Sequence, residues 1–473
     1  MDKYKKLLSN TAILGIGTFG SKILTFLLLP LYTGCLTSAE YGVADIIVQT
    51  ANLLIPLLSL GITDAVFRYV LDRTIDRRQA LTTGFLVIIA GTAVSFILFP
   101  FLNLITYFKG YMWLILLYVF AANLHSLVAQ YIRARDMTQL FALQGIVGTF
   151  IMIVFNILFL VIMKIGIVGY VLSTVLSDLI VTAGLVYLVR VDKAIKPRYF
   201  NKALASEMLR FSMPLILTTI FWWIINFSDR FMITAFIGDE VNGLYAAAFK
   251  IPTILILLAQ IFIEAWQFSA VTEKDKSSRR SHTIFFGRVF DSYQGLLFIS
   301  ASGLIAFSKV FTVILFNDSY YSAWSYMPLL TLATIFSNLV TFLGSVYLVD
   351  KKSLLSFSTA LAGAVTNIIL NLILIPTPLG ANGAALATFV SYMLVFLLRA
   401  VNTQKFIPFN LHTGKLLANS IILSVQTVFM VFEISGWIVI QLLGIVLIFA
   451  INLKPILAGF FRIFSHFPGK GKA

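Results

Sequence analysis

Lys22, Arg230 and Lys250 lie inside apolar runs long enough to cross a bilayer, and basic groups at that depth have the chemistry of an anion site. A charge facing lipid at mid-helix costs about 2.5–3.5 kcal/mol, so each is expected to face a cavity or a partner. Lys22 stands about 11 residues from either end of its run, roughly 16 Å of helix, too deep for its stem to reach the interface. Arg230 and Lys250 are about equally far in sequence from the turn at Asp239 and Glu240. That places them at one depth on adjacent antiparallel helices. A pyrophosphate would answer both, with the guanidinium as a bidentate fork and the ammonium as a point charge.

Carboxylates share these depths. Asp178 and Asp229 lie deep, whereas Asp45 and Glu264 lie nearer the ends of their runs. Two readings stay open for the cations, a substrate-anion role and internal ion pairing. Asp45, Asp178 and Asp229 are also candidates for carrying protons or sodium ions in a coupled cycle, and the sequence does not select the ion. His125, His282, His412 and His466 are widely separated with no metal spacing, so neither a metal nor a cofactor is expected. Cys35, the single cysteine, allows no intramolecular disulfide. No catalytic triad is supported.

The elements that must hold these groups are membrane helices. The chain has 473 residues, 59% apolar and only 12% charged, with a mean hydropathy of +0.94, which excludes a soluble fold. The apolar stretches do not alternate with polar residues as barrel strands would. The sequence predicts fourteen spans, over 11–33, 41–64, 82–106, 110–132, 140–163, 166–190, 211–237, 243–270, 289–316, 322–349, 354–376, 380–398, 416–433 and 435–453. The fold class is all-α and polytopic. The opening MDKYKKLLSN looks like a signal-peptide n-region, but the apolar run after it is too long and has no cleavage site, so the first helix is expected to be retained.

The net charge of +15 follows from this topology. With a cytoplasmic N-terminus, 29 of the 35 Lys and Arg fall in inside segments, against Lys109, Lys164 and Lys309 outside. The positive-inside rule then puts both termini in the cytoplasm. The basic linker Asp192 to Lys202 is read as topology plus contact with anionic membrane lipids, and no nucleic acid is expected.

Two halves of the chain resemble each other. Phe155 to Ser177 matches Leu370 to Ser391 with one gap, aligning Asn156 with Asn371, Gly166 with Gly380, Gly169 with Gly383 and Thr174 with Thr388. A weaker match pairs Glu40-Tyr41-Gly42 with Asn242-Gly243-Leu244-Tyr245. An offset of six helices predicts parallel repeats, which divide the chain into a lobe over 1–200, a lobe over 201–405, and two additional helices with a tail over 406–473. The Gly-x-x-Gly pairs read first as tight helix starts or close packing. Pro56 and Pro252 are candidate kinks or hinges within their spans.

Leu14-Gly15-Ile16-Gly17-Thr18-Phe19-Gly20-Ser21-Lys22, Pro30-Leu31-Tyr32-Thr33, Glu40-Tyr41-Gly42, Leu60-Gly61-Ile62 and Arg68-Tyr69 resemble the N-terminal half of Wzx-type polysaccharide flippases. Asp229-Arg230, Gly243-Leu244-Tyr245-Ala246-Ala247, Asn371-Leu372-Ile373-Leu374-Ile375-Pro376 and Gly383-Ala384-Ala385 continue the likeness, which fades beyond residue 405. The resemblance implies the fold of the multidrug/oligosaccharidyl-lipid/polysaccharide exporter superfamily, two six-helix lobes around a central cavity. It implies a non-enzymatic flippase of the cytoplasmic (inner) membrane that turns an undecaprenyl-pyrophosphate-linked oligosaccharide from the inner to the outer leaflet by alternating access. Its partners would be that glycan lipid, membrane lipids and a polymerase of the same pathway. A multidrug exporter of the same superfamily is the alternative, although it would favour an acidic cavity. A membrane-embedded glycan polymerase or ligase would need a sizeable outer loop, and the expected outer loops are short. Lipid II and teichoic acid precursors remain open as substrates.

Overall fold

In the computed structural model, residues 20–72, 74–102, 110–260, 262–263, 279–349 and 353–465 are described. Residues 11–19 of the first expected span, the ends of the third and eighth spans, Lys109, Glu264 and His466 lie outside them. All regular structure among the described residues is helical. The helices are α1 (Leu29–Cys35), α2 (Ser38–Leu58), α3 (Ile62–Leu71), α4 (Arg77–Leu102), α5 (Met112–Ala134), α6 (Thr138–Asn156), α7 (Gly166–Val189) and α8 (Lys202–Phe236). They continue as α9 (Asp239–Lys250), α10 (Arg279–Ala306), α11 (Ser308–Leu315), α12 (Met327–Val349), α13 (Ser353–Leu374), α14 (Ala381–Phe406), α15 (Thr413–Val431) and α16 (Trp437–Ser465). Twelve helices of the described residues are long and apolar enough to cross a membrane, and they coincide with the second to thirteenth expected spans. The fourteenth corresponds to a shorter apolar helix, Trp437–Leu453. The protein is a polytopic, all-α membrane protein.

Local chemistry sets the helix ends. Thr37 caps α2 by accepting from the Glu40 amide at 3.2 Å, while the Glu40 carboxylate accepts from the Thr37 amide at 2.9 Å. Pro56 falls in the last turn of α2, before a turn in which Leu60 and Gly61 both take positive φ. The span that begins with α9 breaks at Ile251 and Pro252, where the ring blocks continuation, and resumes over 253–260. Gly166 and Gly380 both adopt positive φ (54° and 53°) at helix starts. A Cβ on Gly169 would lie 2.8 Å from Phe159 Cβ, and one on Gly383 would lie 2.6 Å from the Leu374 carbonyl oxygen. The repeated glycines therefore make tight helix starts packed on the preceding segment.

The chain divides into two compact units, Met1–Trp223 with Gly238–Gly243, and Ile224–Ile237 with Leu244–Ala473. In the first unit, Ile47, Ile115, Val119, Val171 and Val175 join α2, α5 and α7, and Val66, Leu81, Leu127, Ile132 and Leu185 join α3, α4, α5 and α7. In lipid such contacts hold by dispersion and fit, because the tails are as apolar as the side chains. Helix α6 continues through a wider π-helical turn, Ile157–Ile162; only 17% of this span is buried, and Phe150 and Ile162 face outward. In the second unit α12 buries 78% of its span between neighbours and packs along α14.

Helices α15 and α16 pack on α10 in the second unit. Gln426 and Gln441 donate reciprocally to each other's backbone carbonyls (3.1 and 2.8 Å), Asn419 and Asn452 pair side chain to side chain, and Ser302 of α10 donates to Gln426 at 2.9 Å. At one end Lys309 pairs with Glu433 and lies over the rings of Trp324 and Trp437 (4.3 and 4.6 Å). At the other, Lys415 pairs with Asp291 at 2.6 Å. Amphipathic indoles around a lysine suit a membrane interface.

Candidate functional site

Helix α8 carries Asp229 and Arg230, both 2% exposed. Asp229 Oδ2 accepts the Tyr245 hydroxyl at 2.5 Å, and its Oδ1 accepts the backbone amide of Arg230 at 2.9 Å. The Arg230 guanidinium lies over the rings of Phe227 and Phe249, 5.1 Å from the second. Phe249 precedes Lys250 in sequence, so Arg230 packs against the last turn of α9, which also carries Lys250. Lys250 is half-buried at the end of α9, where its carbonyl accepts the Thr253 hydroxyl beside the Pro252 break.

A buried polar chain continues from Asp229. Ser228 donates to Asn367 Oδ1 at 3.0 Å, Asn371 donates to the same oxygen at 3.0 Å, and Asn367 donates to Thr388 at 3.2 Å. Tyr392 donates to Asn226 at 2.7 Å. The parts of α8, α9, α13 and α14 that belong to the second unit thus meet around Asp229 and its neighbour Ser228. The first unit has the same frame with a different filling. Asn156 donates to the Met152 carbonyl (2.8 Å), and Thr174 points at the Met152 sulfur (3.7 Å). Met152 stands one helical turn before Asn156, as Asn367 stands before Asn371. The repeat marked Asn371 and Thr388; Asn367, where the halves differ, went unmarked.

Asp229→Ala removes the acceptor of two buried donors, at a cost of about 3 kcal/mol. Thermal unfolding in detergent is expected to show a clearly lowered Tm, with Asp229→Asn intermediate because its oxygen can still accept from Tyr245.

In the first unit Lys22 is half-buried on the helix over 20–27, and Ser21 beside it lies 3.3 Å from where a Cβ on Gly145 would stand. Asp45 is 6% exposed and accepts from Gln49 at 3.2 Å. Asp178 Oδ1 lies 3.4 Å from His125 Nδ1. Tyr32, Tyr41 and Tyr170 form a ring cluster with centroids 4.8 to 6.5 Å apart, which gathers two of the short N-terminal motifs at α7.

Two features depart from the sequence reading. The segment expected to be a cytoplasmic loop around Arg399 is helical, because α14 runs to Phe406. Arg399 is 3% exposed and donates to the Val340 carbonyl (2.9 Å) and Thr359 Oγ1 (3.2 Å). The basic linker is likewise partly helix from Lys202 onward. Of its bases Lys193 lines an open cavity of about 610 Å³, with Arg77, Arg78, Arg135, Arg190 and Asp76 in the same wall. Nearby, hydrogen bonds from Arg198 and Arg78 hold the Tyr199 hydroxyl below the usual phenol range. Among the described residues no group of His, Cys, Asp and Glu could hold a metal ion.

The fold is similar to that of a lipid II flippase, MurJ, in an inward closed conformation, with a TM-score of 0.70, 16% identity, and coverage of 96% of this chain and 100% of that one. An inward-facing multidrug resistance MATE family transporter of the MOP superfamily has a TM-score of 0.67 and 13% identity over 81% of this chain and 95% of its own. At these identities the likeness shows the fold alone. In sequence, the uncharacterized membrane protein MJ1375 of Methanocaldococcus jannaschii is 24% identical over 254 residues, 51% of this chain; the match spans 59% of that relative's length. Residues 7–267 match the family described as polysaccharide biosynthesis protein, and the chain belongs to that family.

Proposed function

We propose that the protein moves a prenyl-pyrophosphate-linked oligosaccharide from the inner to the outer leaflet of the cytoplasmic membrane by alternating access, in the making of a cell-surface polysaccharide. The observation that carries this reading is a pair of cations within membrane spans, Arg230 stacked on Phe249 and Lys250 next to Phe249 in sequence. They supply the charge that a pyrophosphate needs. Membership of a polysaccharide biosynthesis family supports the same substrate class. The bias of Lys and Arg between loops supports a cytoplasmic position for both termini. The basic cavity around Arg77, Arg78 and Arg135 then meets anionic head groups of the inner leaflet. Asp45, Asp178 and Asp229 are the carboxylates through which an ion gradient would act.

Deleting the gene tests this directly. The expected result is a lipid-linked oligosaccharide that accumulates on the cytoplasmic leaflet, with surface polysaccharide lost. Unchanged surface glycan together with retention of a cationic dye would favour a multidrug exporter instead, the reading that the MATE-like fold supports.

A further inference from the structure

His125 lies near the middle of the 23 residues of α5, and Asp178 near the middle of the 24 residues of α7. Their depth is the centre of the membrane. His125 Nδ1 is 3.4 Å from Asp178 Oδ1, and its Nε2 is 2.7 Å from Oε1 of Gln144 on α6. Three helices of one unit thus meet at one imidazole, with an oxygen acceptor facing each ring nitrogen. A neutral imidazole has a single N–H and can satisfy one acceptor; the imidazolium satisfies both. Taking up one proton gives the ring an N–H on each side, one for a charge-assisted hydrogen bond to Gln144 and one toward the ion pair with Asp178.

The side chains of His125 and Asp178 are 25% and 22% exposed. An ionised pair open to lipid at this depth would be costly, so the open side is assigned to water, which gives the proton a path. The surroundings supply few competing charges. On α5 itself Tyr118 lies in the field of Asp178 and of Tyr170 on α7. Helix α6 brings only the neutral Gln144, the first helix brings Lys22 beside Ser21, and α2 brings Asp45, itself bonded to Gln49. The charges of α3 and α4, Asp64, Arg68, Arg77 and Arg78, belong to the region of the basic cavity and its neighbour, away from the middle of α5. A sodium ion would need several hard oxygen ligands, and an imidazole nitrogen is a poor one.

We propose that His125 and Asp178, with Gln144 as the second acceptor, are the proton-carrying site of the transport cycle. Histidine is the side chain whose ordinary charge change lies within reach of a modest proton gradient. The coupling role rests on the transport reading above; the proton site itself does not.

The test uses the full chain in nanodiscs with ¹⁵N-histidine, the His125 signals being those missing from His125→Gln. Asp178→Asn is expected to lower the proton affinity they report about tenfold, because it removes the carboxylate that faces the imidazolium. Exchange of potassium for sodium is expected to leave the midpoint unmoved. A midpoint indifferent to Asp178→Asn, or one displaced by sodium, overturns the site. In liposomes, flipping of a fluorescent undecaprenyl-pyrophosphate glycan by the wild-type protein is expected to follow an imposed pH gradient, and His125→Gln is expected to lose that dependence. Gradient-independent flipping by the wild type overturns the coupling role. Absence of flipping with an intact titration counts against the transport reading instead.

Discussion

Glutamine at both Arg230 and Lys250 is expected to lower flipping of a prenyl-pyrophosphate glycan in liposomes by about 100-fold or more. A hydrogen bond to a charged partner contributes about 1.5–3 kcal/mol, and two of them lost together correspond to two to four decades. The single variants should part company, because the two cations stand in different surroundings. Lys250 is half-buried at a helix break, so Lys250→Gln is expected to cost roughly tenfold or more in flipping with the Tm unchanged. Arg230 is 2% exposed with its guanidinium over Phe227 and Phe249, so Arg230→Gln is expected to lower Tm as well. Arg230→Lys separates charge from shape, since it keeps the cation and loses the planar fork. Wild-type flipping by the double variant would remove the pyrophosphate role from both residues.

The spans were legible because a membrane helix announces itself locally. About 20 apolar residues in a row mean the same thing wherever they fall, and the helices from α2 to α15 follow those runs, with ends that shift by up to ten residues. The ends were less legible where a polar residue continued a helix. Arg399 reads as a loop charge, yet its guanidinium finds the Val340 carbonyl and Thr359 on two other helices, contacts that no local pattern encodes. The same limit explains the sites. Asp229 is marked by its depth, whereas Tyr245 and Asn367, which complete its surroundings, are uncharged, and Asn367 reaches the neighbouring Ser228 from 139 positions away. His125 looked isolated because metal spacing was sought along the sequence. Its partners are 19 and 53 positions away, on α6 and α7. Depth of charge was readable; the pairing of charges was a tertiary fact.

Alanine or valine at Gly42 or Gly243 is expected to destabilise the protein out of proportion to the atoms added. The first turns of α2 and α9, both in the first unit, meet with almost no separation between backbones. A Cβ on Gly42 would lie 2.0 Å from the Asp239 carbonyl oxygen, and a Cβ on Gly243 would lie 1.8 Å from that of Ser38. Asn242 reinforces the crossing by donating to the Gly42 carbonyl at 3.0 Å. Such proximity is the use membranes make of small residues, since bare backbones can approach and their Cα hydrogens can face carbonyl oxygens. Restoring ordinary contact would move the turns apart by about 1.5 Å, breaking the Asn242 bond and opening the packing around it. Overpacking of this kind costs about 1–3 kcal/mol per site, and here the obstacle is backbone, which has no rotamer to escape into. Gly42→Ala is therefore expected to lower Tm by roughly 5 °C, and Gly42→Val by more. Gly184→Ala is the matched control. It lies inside α7 with no heavy atom within 4 Å of the added carbon, so the better helix propensity of alanine should leave Tm unchanged or slightly raised. Equal Tm values for Gly42→Ala and Gly184→Ala would mean that the two turns do not meet in the membrane as they do here. A selective loss at Gly42 and Gly243 would identify the weakly repeated motifs around Tyr41-Gly42 and Gly243-Leu244-Tyr245 as two sides of one helix crossing.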